Sequence, residues 1–192
     1  MGAEINLHRD DPARIAQIER VDTAMGWVVE RAPGFFNAGP HLYFALRHTS
    51  LPPTLGGDAE LGLHHFDEVD RITGGKLLMS PVFRAEFYAP TLAATPAGAS
   101  LDEVRAAQQR AWDAWFGTLK QVVETPVDIW PAQTLPNAVA RERALRLLAD
   151  PEGHNIIPPP GAENPYAGGG AGEGWSTDES GWSDGDAWDE GN

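Results

Sequence analysis

The chain has 192 residues, no cysteine, a formal net charge of −14 and a sequence pI of about 4.7. The absence of cysteine excludes disulfides, zinc–thiolate sites, iron–sulfur clusters and a cysteine nucleophile. The acidic balance argues against direct nucleic-acid binding, because contacts to phosphates need clustered Lys and Arg. The length favours a single domain with its own core, and we predict that this domain spans residues 1–150.

The first predicted element is a helix over residues 12–31. Asp10 and Asp11 supply capping carboxylates, and Pro12 follows at a position where its missing N–H costs nothing. The residues before this helix contain neither the basic region nor the apolar stretch of a signal peptide. No run approaches the ~18 apolar residues of a membrane helix, so we expect a cytoplasmic protein with no membrane partner.

Four segments favour β-strands, because they are rich in aromatic or β-branched residues or alternate with period two. In the first of them, Leu42, Phe44 and Leu46 would share one face. The third is rich in aromatic residues and is bounded by Pro81 and Pro90. The four predicted strands are residues 41–47, 60–66, 82–89 and 127–130.

A long helix is predicted from Leu101 to about Val123, opened by a capping box of Ser100 and Glu103. A last helix should cover residues 138–149. The order of elements predicts an α+β fold in which helices cover a small, mostly antiparallel sheet. The buried stripe of the long helix would be Leu101, Val104, Ala111, Trp112, Trp115, Leu119 and Val122.

The pair His64-His65 is the strongest candidate for metal or catalytic chemistry, together with His41 and His48. Adjacent residues of a strand point to opposite faces, so the pair cannot ligate one ion there, and exposed histidines are the favoured interpretation. No Walker, dinucleotide-binding or Gly-x-Ser-x-Gly pattern is present. We therefore predict a non-enzymatic protein without metal or cofactor, with a small enzyme as a remaining alternative.

The C-terminal part divides into a stiff Pro-rich spacer, residues 151–166, and a tail, residues 167–192. The tail holds seven carboxylates, eight glycines, three tryptophans and no Lys or Arg, so we expect it to be disordered. Tryptophan is enriched among the residues that dominate binding energy, which favours a tail that docks on a protein partner. The predicted partner-binding residues are Trp175, Trp182, Trp188, Asp184, Asp186, Asp189 and Glu190.

Two alternatives for the tail stay open at this point. It is either a docking element or an acidic segment that only solvates the chain. The nearest surface of opposite charge is the last helix, with Arg141, Arg143 and Arg146.

The order of a helix, a strand meander, a long helix and a closing strand resembles the tail-terminator and tail-completion proteins of tailed bacteriophages. The resemblance covers about residues 12–130 and centres on residues 81–90, followed by the long helix. It implies a structural component of the phage head–tail junction that forms homo-oligomers and binds a protein partner in the host cytoplasm or virion. The competing hypothesis is an acidic regulatory protein that imitates nucleic acid in a cationic groove.

Overall fold

A computed structural model describes residues 18–167, and each regular element within this range is helical. The predicted α+β fold is therefore wrong, and the described part of the chain is a helical bundle. Short 3₁₀ turns at Pro53–Leu55, Val127–Ile129, Pro131–Gln133 and Glu152–His154 connect or follow the main helices. The α-helices are α1 Ile18–Arg31, α2 Phe35–Ser50, α3 Ala59–Thr73, α4 Met79–Phe83, α5 Leu101–Glu124 and α6 Thr134–Ala149.

The first two predicted strands lie inside α2 and α3. The alternation of Leu42, Phe44 and Leu46 suggested a strand, but the buried stripe of α2 is made of small or polar residues at helical spacing. That stripe is Ala38, His41, Ala45 and Thr49. The stripe of α3 is Gly62, Phe66, Val69 and Thr73, in which an apolar pattern is equally hard to see.

The third predicted strand belongs to a continuous helical path, residues 79–93, that we call the α4 segment. It begins with α4, continues as a π-helix at Arg84–Tyr88 and ends as a 3₁₀-helix at Ala89–Ala93. Pro81 is the third residue of α4, in the first turn, where its missing N–H is tolerated. The prolines that were interpreted as the bounds of a strand thus lie near the starts of short helices, and the fourth predicted strand is a 3₁₀ turn.

Helices α2 and α3 form an antiparallel hairpin in which the two backbones approach closely at Gly62. A Cβ atom at this position would lie 2.5 Å from Thr49 Cγ2 and 3.1 Å from the Ala45 carbonyl oxygen. The Asp58 side chain caps α3 by accepting hydrogen bonds from the backbone amides of Glu60 and Leu61. Small residues at Gly62 and Ala45 therefore let the two helices of the hairpin approach closely.

Helices α5 and α6 and the α4 segment enclose the main hydrophobic core. Trp115 and Leu119 of α5 are fully buried, and Trp112 stacks on Phe116 with ring centroids 5.1 Å apart. The capping box of Ser100 and Glu103 is present, which confirms the predicted start of the long helix. One predicted core position is wrong, because Leu101 is 70% exposed.

Asn137 of α6 joins this core to the loop that leads out of α3. Its side chain is fully buried, and its Oδ1 accepts a hydrogen bond of 3.0 Å from the backbone amide of Leu78. Its Nδ2 donates to the carbonyl oxygens of Lys76 and Val127 at 3.1 and 3.2 Å. These backbone groups would otherwise need other hydrogen-bond partners. Asn137 therefore fixes how the α5–α6 core meets the end of the α2–α3 hairpin.

The Pro-rich segment after α6 contacts the core. Ile156 is 1% exposed, and Tyr166 packs against the same cluster. Asn164 Nδ2 donates a 2.7 Å hydrogen bond to the carbonyl oxygen of Leu148. Across residues 18–167, no helix combines the length and the apolar character that crossing a membrane requires.

Candidate functional site

A cleft of about 370 Å³ opens between the end of α3, the α4 segment and α5. Its walls combine apolar side chains with a few convergent polar ones, which is the usual character of small-molecule sites. Two of the lining residues are charged, Asp70 and Arg84. The lining residues are Asp70, Gly75, Leu78, Pro81, Arg84, Ala85, Tyr88, Ala89, Ala114, Thr118, Gln121, Val122 and Thr125.

The cleft lies where the α4 segment departs from α-helical geometry. Pro90 has no N–H to donate to the carbonyl of Glu86, so the regular hydrogen-bond ladder cannot continue there. The amide of Ala89 instead donates to the carbonyl oxygen of Arg84, five residues back. This wider turn carries Arg84 and Tyr88 on the cleft wall, and π-helical turns are frequent at functional sites.

Asp70 is a half-buried carboxylate whose two oxygens are unequally satisfied by hydrogen bonds and ion pairs. Ser80 Oγ donates a 2.8 Å hydrogen bond to Asp70 Oδ1, while Arg84 Nη1 lies 3.7 Å from Oδ2. Arg84 makes its shorter contact, 3.0 Å, with Asp67 Oδ1. Burial raises the pKa of Asp70, the charge of Asp67 adds to this effect, and Ser80 and Arg84 oppose it.

A second polar cluster, the histidine stack (His41, Phe44, His48 and His65), fills the interface between α2 and α3. The Nδ1 atoms of His41 and His65 are 3.0 Å apart, so one ring donates a hydrogen bond to the other. His65 also stacks on Phe44 and His48, with centroid distances of 5.2 and 6.1 Å. Burial and, to a smaller extent, the neighbouring histidines lower the pKa of His65 to about 4, while Glu68 opposes this shift.

The histidine stack places the sequence candidates for metal binding on two helices instead of a strand end. His65 points into the interface between α2 and α3, whereas His64 is exposed. Burial also lowers the pKa of His41, so burial favours the neutral form of both rings, and at least one ring must be neutral to accept the hydrogen bond between them. Among residues 18–167, no group of three or more His, Asp or Glu side chains is arranged to hold a metal ion.

The corner between α1 and α2 carries exposed aromatic residues, which we call the corner aromatics: Trp27, Phe35 and Phe36. Their exposed fractions are 58%, 62% and 82%. Phe36, Asn37 and Ala38 all have positive φ angles, of 48°, 56° and 63°, so the regular part of α2 begins only after them. Left-handed backbone at three successive residues that are not glycine costs roughly 1–2 kcal/mol per residue.

Two sets of contacts hold the left-handed backbone of the corner: burial of Ala38 and hydrogen bonds between α1 and α2. Ala38 is fully buried and belongs to a small apolar cluster with Val69 and Leu77, whereas Phe36 projects outward. Asp22 ties α1 to α2 by accepting hydrogen bonds from the Tyr43 hydroxyl at 2.6 Å and from Arg47 Nε at 3.2 Å. Burial and the contact with Asp22 raise the pKa of Tyr43, which therefore remains a donor.

The residues predicted from the tail lie outside the described part of the chain. This applies to Trp175, Trp182, Trp188, Asp184, Asp186, Asp189 and Glu190. The arginines of the last helix, predicted to be the nearest surface of opposite charge to the tail, lie on α6 within the described residues. Arg143 makes a bidentate ion pair with Glu86 at 2.9 and 2.7 Å, and Arg146 pairs with Glu142 at 3.2 Å. Both guanidinium groups are thus engaged within the domain.

The sequence indicated neither the cleft nor the corner aromatics. No motif marks Asp70, Arg84 or Tyr88, which come from positions that were predicted to be loop or strand. One usable signal was the pair Pro81 and Pro90, nine residues apart in a helix-compatible segment, which marks a disrupted helix. Residues 35–38, Phe-Phe-Asn-Ala, carry no glycine that would announce a left-handed backbone.

Comparison with known proteins gives one family match. The model of a family described as TRAP transporter T-component matches residues 1–153. No curated protein sequence matches the chain. The match covers α1 to α6 of the described fold and most of the chain.

This match overturns the functional prediction from sequence. The resemblance to phage tail-terminator and tail-completion proteins is wrong, and so are the predicted role at a head–tail junction and the acidic mimic proposed as its alternative. The predicted cytoplasmic or virion location is wrong as well, since the family is associated with a membrane transporter. A transporter component works with other transporter proteins, so the predicted protein partner is confirmed at this coarser level. The chain belongs to the TRAP transporter T-component family.

Proposed function

We propose that this protein is a non-enzymatic helical component of a TRAP transporter that binds another protein of the same transporter through its corner aromatics. The family match supports the transporter context. The observation that carries the docking site is Phe36, which is 82% exposed on a strained left-handed backbone. Such strain persists where the surrounding structure enforces it, and it is concentrated at functional sites.

The chemistry of the corner suits a protein partner. Large aromatic side chains contribute most of the binding energy at the centre of protein interfaces, whereas contact with solvent does not stabilise them. The Arg31 guanidinium lies 4.5 Å from the centroid of the Trp27 ring, which keeps a charged group at the edge of the apolar surface. An apolar centre with a polar rim is the usual anatomy of a protein interface.

The test is the affinity of the purified protein for the other purified proteins of its transporter. The variant Phe36→Asn keeps a residue type that tolerates left-handed backbone while it removes the aromatic ring. We expect it to weaken binding by about 2 kcal/mol, or roughly 30-fold. Leu135→Asn is the matched control, because Leu135 is 75% exposed and belongs to a different helix, α6. Equal affinity of Phe36→Asn and the unsubstituted protein would reject this docking site.

The C-terminal tail is proposed as a second docking element. Its three tryptophans, Trp175, Trp182 and Trp188, lie among seven carboxylates, a pattern that suits a partner with basic and apolar surface. A chain that ends at Tyr166 should lose affinity, and the salt dependence of its association rate should become weaker. If the shortened chain binds with the same rate at every salt concentration, the tail acts only in solvation.

Self-association is proposed as a further property, because exposed aromatic side chains can also be covered by a second copy of the chain. Sedimentation of the purified protein between about 1 and 100 μM would show concentration-dependent mass, and Phe36→Asn would shift the equilibrium toward the monomer. A monomer across this range would reject self-association without touching the heterotypic interface.

A further inference from the structure

We propose that the cleft between α3, the α4 segment and α5 binds a small organic ammonium ion, with Asp70 as counter-ion and Tyr88 as aromatic wall. This inference concerns a site other than the corner aromatics and does not depend on the proposed function. A cleft of about 370 Å³ has the volume of roughly a dozen water molecules in the liquid, which suits a short organic molecule.

The position of Asp70 Oδ2 is the first reason. Oδ1 receives the Ser80 hydroxyl at 2.8 Å, and the nearest cation to Oδ2 is Arg84 Nη1 at 3.7 Å. That separation is too long for a hydrogen bond. Within residues 18–167, Oδ2 receives no hydrogen bond from protein, so a carboxylate oxygen in the cleft wall has room for a donor from a ligand.

The balance of charge is the second reason, and it favours a cation over an anion. Arg84 lies between Asp67 at 3.0 Å and Asp70 at 3.7 Å, so its positive charge faces two carboxylates. These three groups together carry a net charge of −1, inside a chain whose formal net charge is −14. An anion in the cleft would meet a guanidinium already committed to Asp67, and it would be repelled by Asp70.

The remaining lining completes a site for an amphipathic cation. Tyr88 is the aromatic residue of the lining, and the face of an aromatic ring attracts an ammonium group. Apolar atoms of Leu78, Ala85 and Val122 can cover a short hydrocarbon chain. The required ligand therefore has a charged ammonium head and an apolar body of a few carbon atoms.

The energetics of Asp70 are the third reason. Burial raises the pKa of this carboxyl group above its usual value, so ionised Asp70 destabilises the fold at neutral pH. A ligand cation removes that penalty when it binds. Cation binding should accordingly weaken as the pH falls through the raised pKa of Asp70, because the protonated carboxyl no longer attracts the cation.

The experiment compares three probes of similar size: n-butylammonium, n-butanol and butyrate. Binding to the full chain is measured by ligand-observed NMR and calorimetry at pH 7.5, with each probe up to about 50 mM. We expect n-butylammonium to bind with a Kd of the order of 1–10 mM, at least tenfold more tightly than butanol or butyrate. Equal binding of the neutral probe, preferred binding of butyrate, or no binding of n-butylammonium would overturn the proposal.

Two variants connect the binding to the cleft. Asp70→Asn keeps an oxygen for the Ser80 hydroxyl and removes the charge, so it should weaken n-butylammonium binding at least tenfold. Asp128→Asn removes one charge from an exposed 3₁₀ turn and should leave binding unchanged. Thermal unfolding checks that each variant is folded. Tyr88→Leu removes the aromatic wall, and it should also weaken n-butylammonium binding as an independent readout. Full retention of affinity in Asp70→Asn would place the cation elsewhere and contradict the proposal.

Discussion

The interface of α2 with α3 and the core around α5 and α6 are built from different chemistry. The hairpin is joined by the histidine stack and by close contact at Gly62, and its apolar cluster contains the buried residues Ala38, Val69 and Leu77. The core around α5 contains Trp115 and Leu119 and continues through α4, α6 and the Pro-rich segment.

The two regions should differ in how their stability responds to pH. We call the α5–α6 core the constant half and the α2–α3 hairpin the conditional half. Burial of aliphatic and aromatic surface does not depend on protonation, so the α5–α6 core should keep its structure across a wide pH range. Burial lowers the pKa values of His41 and His65, so acidification has to charge part-buried rings and should weaken the hairpin. The cleft lies at the junction, because Asp70 comes from α3 and Thr118 from α5. Regions of unequal stability also open independently in native proteins.

The largest expected effect tests the constant half. Trp115→Ala should lower the free energy of unfolding by about 3–5 kcal/mol, because it leaves a cavity in a fully buried site. Trp115→Phe is the control, since Nε1 of Trp115 has no hydrogen-bond partner within the described residues. Chemical denaturation of both variants checks the prediction. A loss below about 1 kcal/mol for Trp115→Ala would show that this core is not the main source of stability.

The next effect concerns the junction between the two regions. Asn137→Ala removes three hydrogen bonds from buried or partly buried backbone groups, and we expect a loss of about 2–4 kcal/mol. Asn164→Ala removes two bonds of a part-buried side chain, to the Leu148 carbonyl and from the Tyr166 amide, and should cost about 1–2 kcal/mol. Urea denaturation compares the two variants, and equal costs would contradict a special role for Asn137.

Acidification tests the conditional half. The pKa of His65 is about 4 in the fold against an ordinary value of 6.5, so its stabilising contribution is present above pH 6.5 and is lost between 6.5 and 4. Because solvent screens a half-buried imidazole, the loss should stay well below the roughly 3 kcal/mol that the full pKa shift corresponds to. His65→Gln should flatten the pH dependence of urea denaturation, while His64→Gln at the exposed neighbour should leave it unchanged. The same pH profile in both variants would show that His65 does not cause the pH sensitivity.

The smallest effect concerns the close approach of α2 and α3. Gly62→Ala places a Cβ atom against Thr49 and the Ala45 carbonyl and should cost about 1–3 kcal/mol. Gly117→Ala in α5 is the matched control, because no atom outside its own helical turn lies within 4 Å of the position that the new methyl group would take. That control should stabilise the protein by about 0.5–1 kcal/mol through helix propensity. Stabilisation by Gly62→Ala in thermal unfolding would show that the hairpin is loosely packed.

The helices that carry regular signals were predictable from sequence. The capping box and the apolar stripe around Trp112 and Trp115 predicted a helix from Leu101 to about Val123, and the observed α5 is Leu101–Glu124. The predicted last helix was confirmed as well, although α6 begins earlier, at Thr134. The hairpin was not predictable in this way, because small or polar residues such as His41, Thr49 and Gly62 occupy much of its buried stripes and leave only a short apolar pattern at Phe66 and Val69.

The candidate sites depend on contacts that no local pattern encodes. Asp70 meets Arg84 and Ser80 because the α4 segment folds back on α3 after a turn. His41 meets His65 across 24 positions of sequence. The favoured interpretation, exposed histidines at a strand end, is wrong for His41, which is buried, and for His65, which is half-buried; of the four candidates only His64 is exposed, and it lies on a helix. Long-range pairing of helices decides which of these side chains meet, and composition carries no signal of it.

The most direct test of the contrast between the two regions is amide hydrogen exchange resolved along the chain at pH 7 and pH 5, corrected for the intrinsic effect of pH on exchange. We predict that protection of α3, Ala59–Thr73, falls severalfold or more at pH 5, whereas protection of α5, Leu101–Glu124, stays the same. A parallel fall in both helices, or unchanged protection of α3, would contradict a pH-sensitive hairpin attached to a constant core.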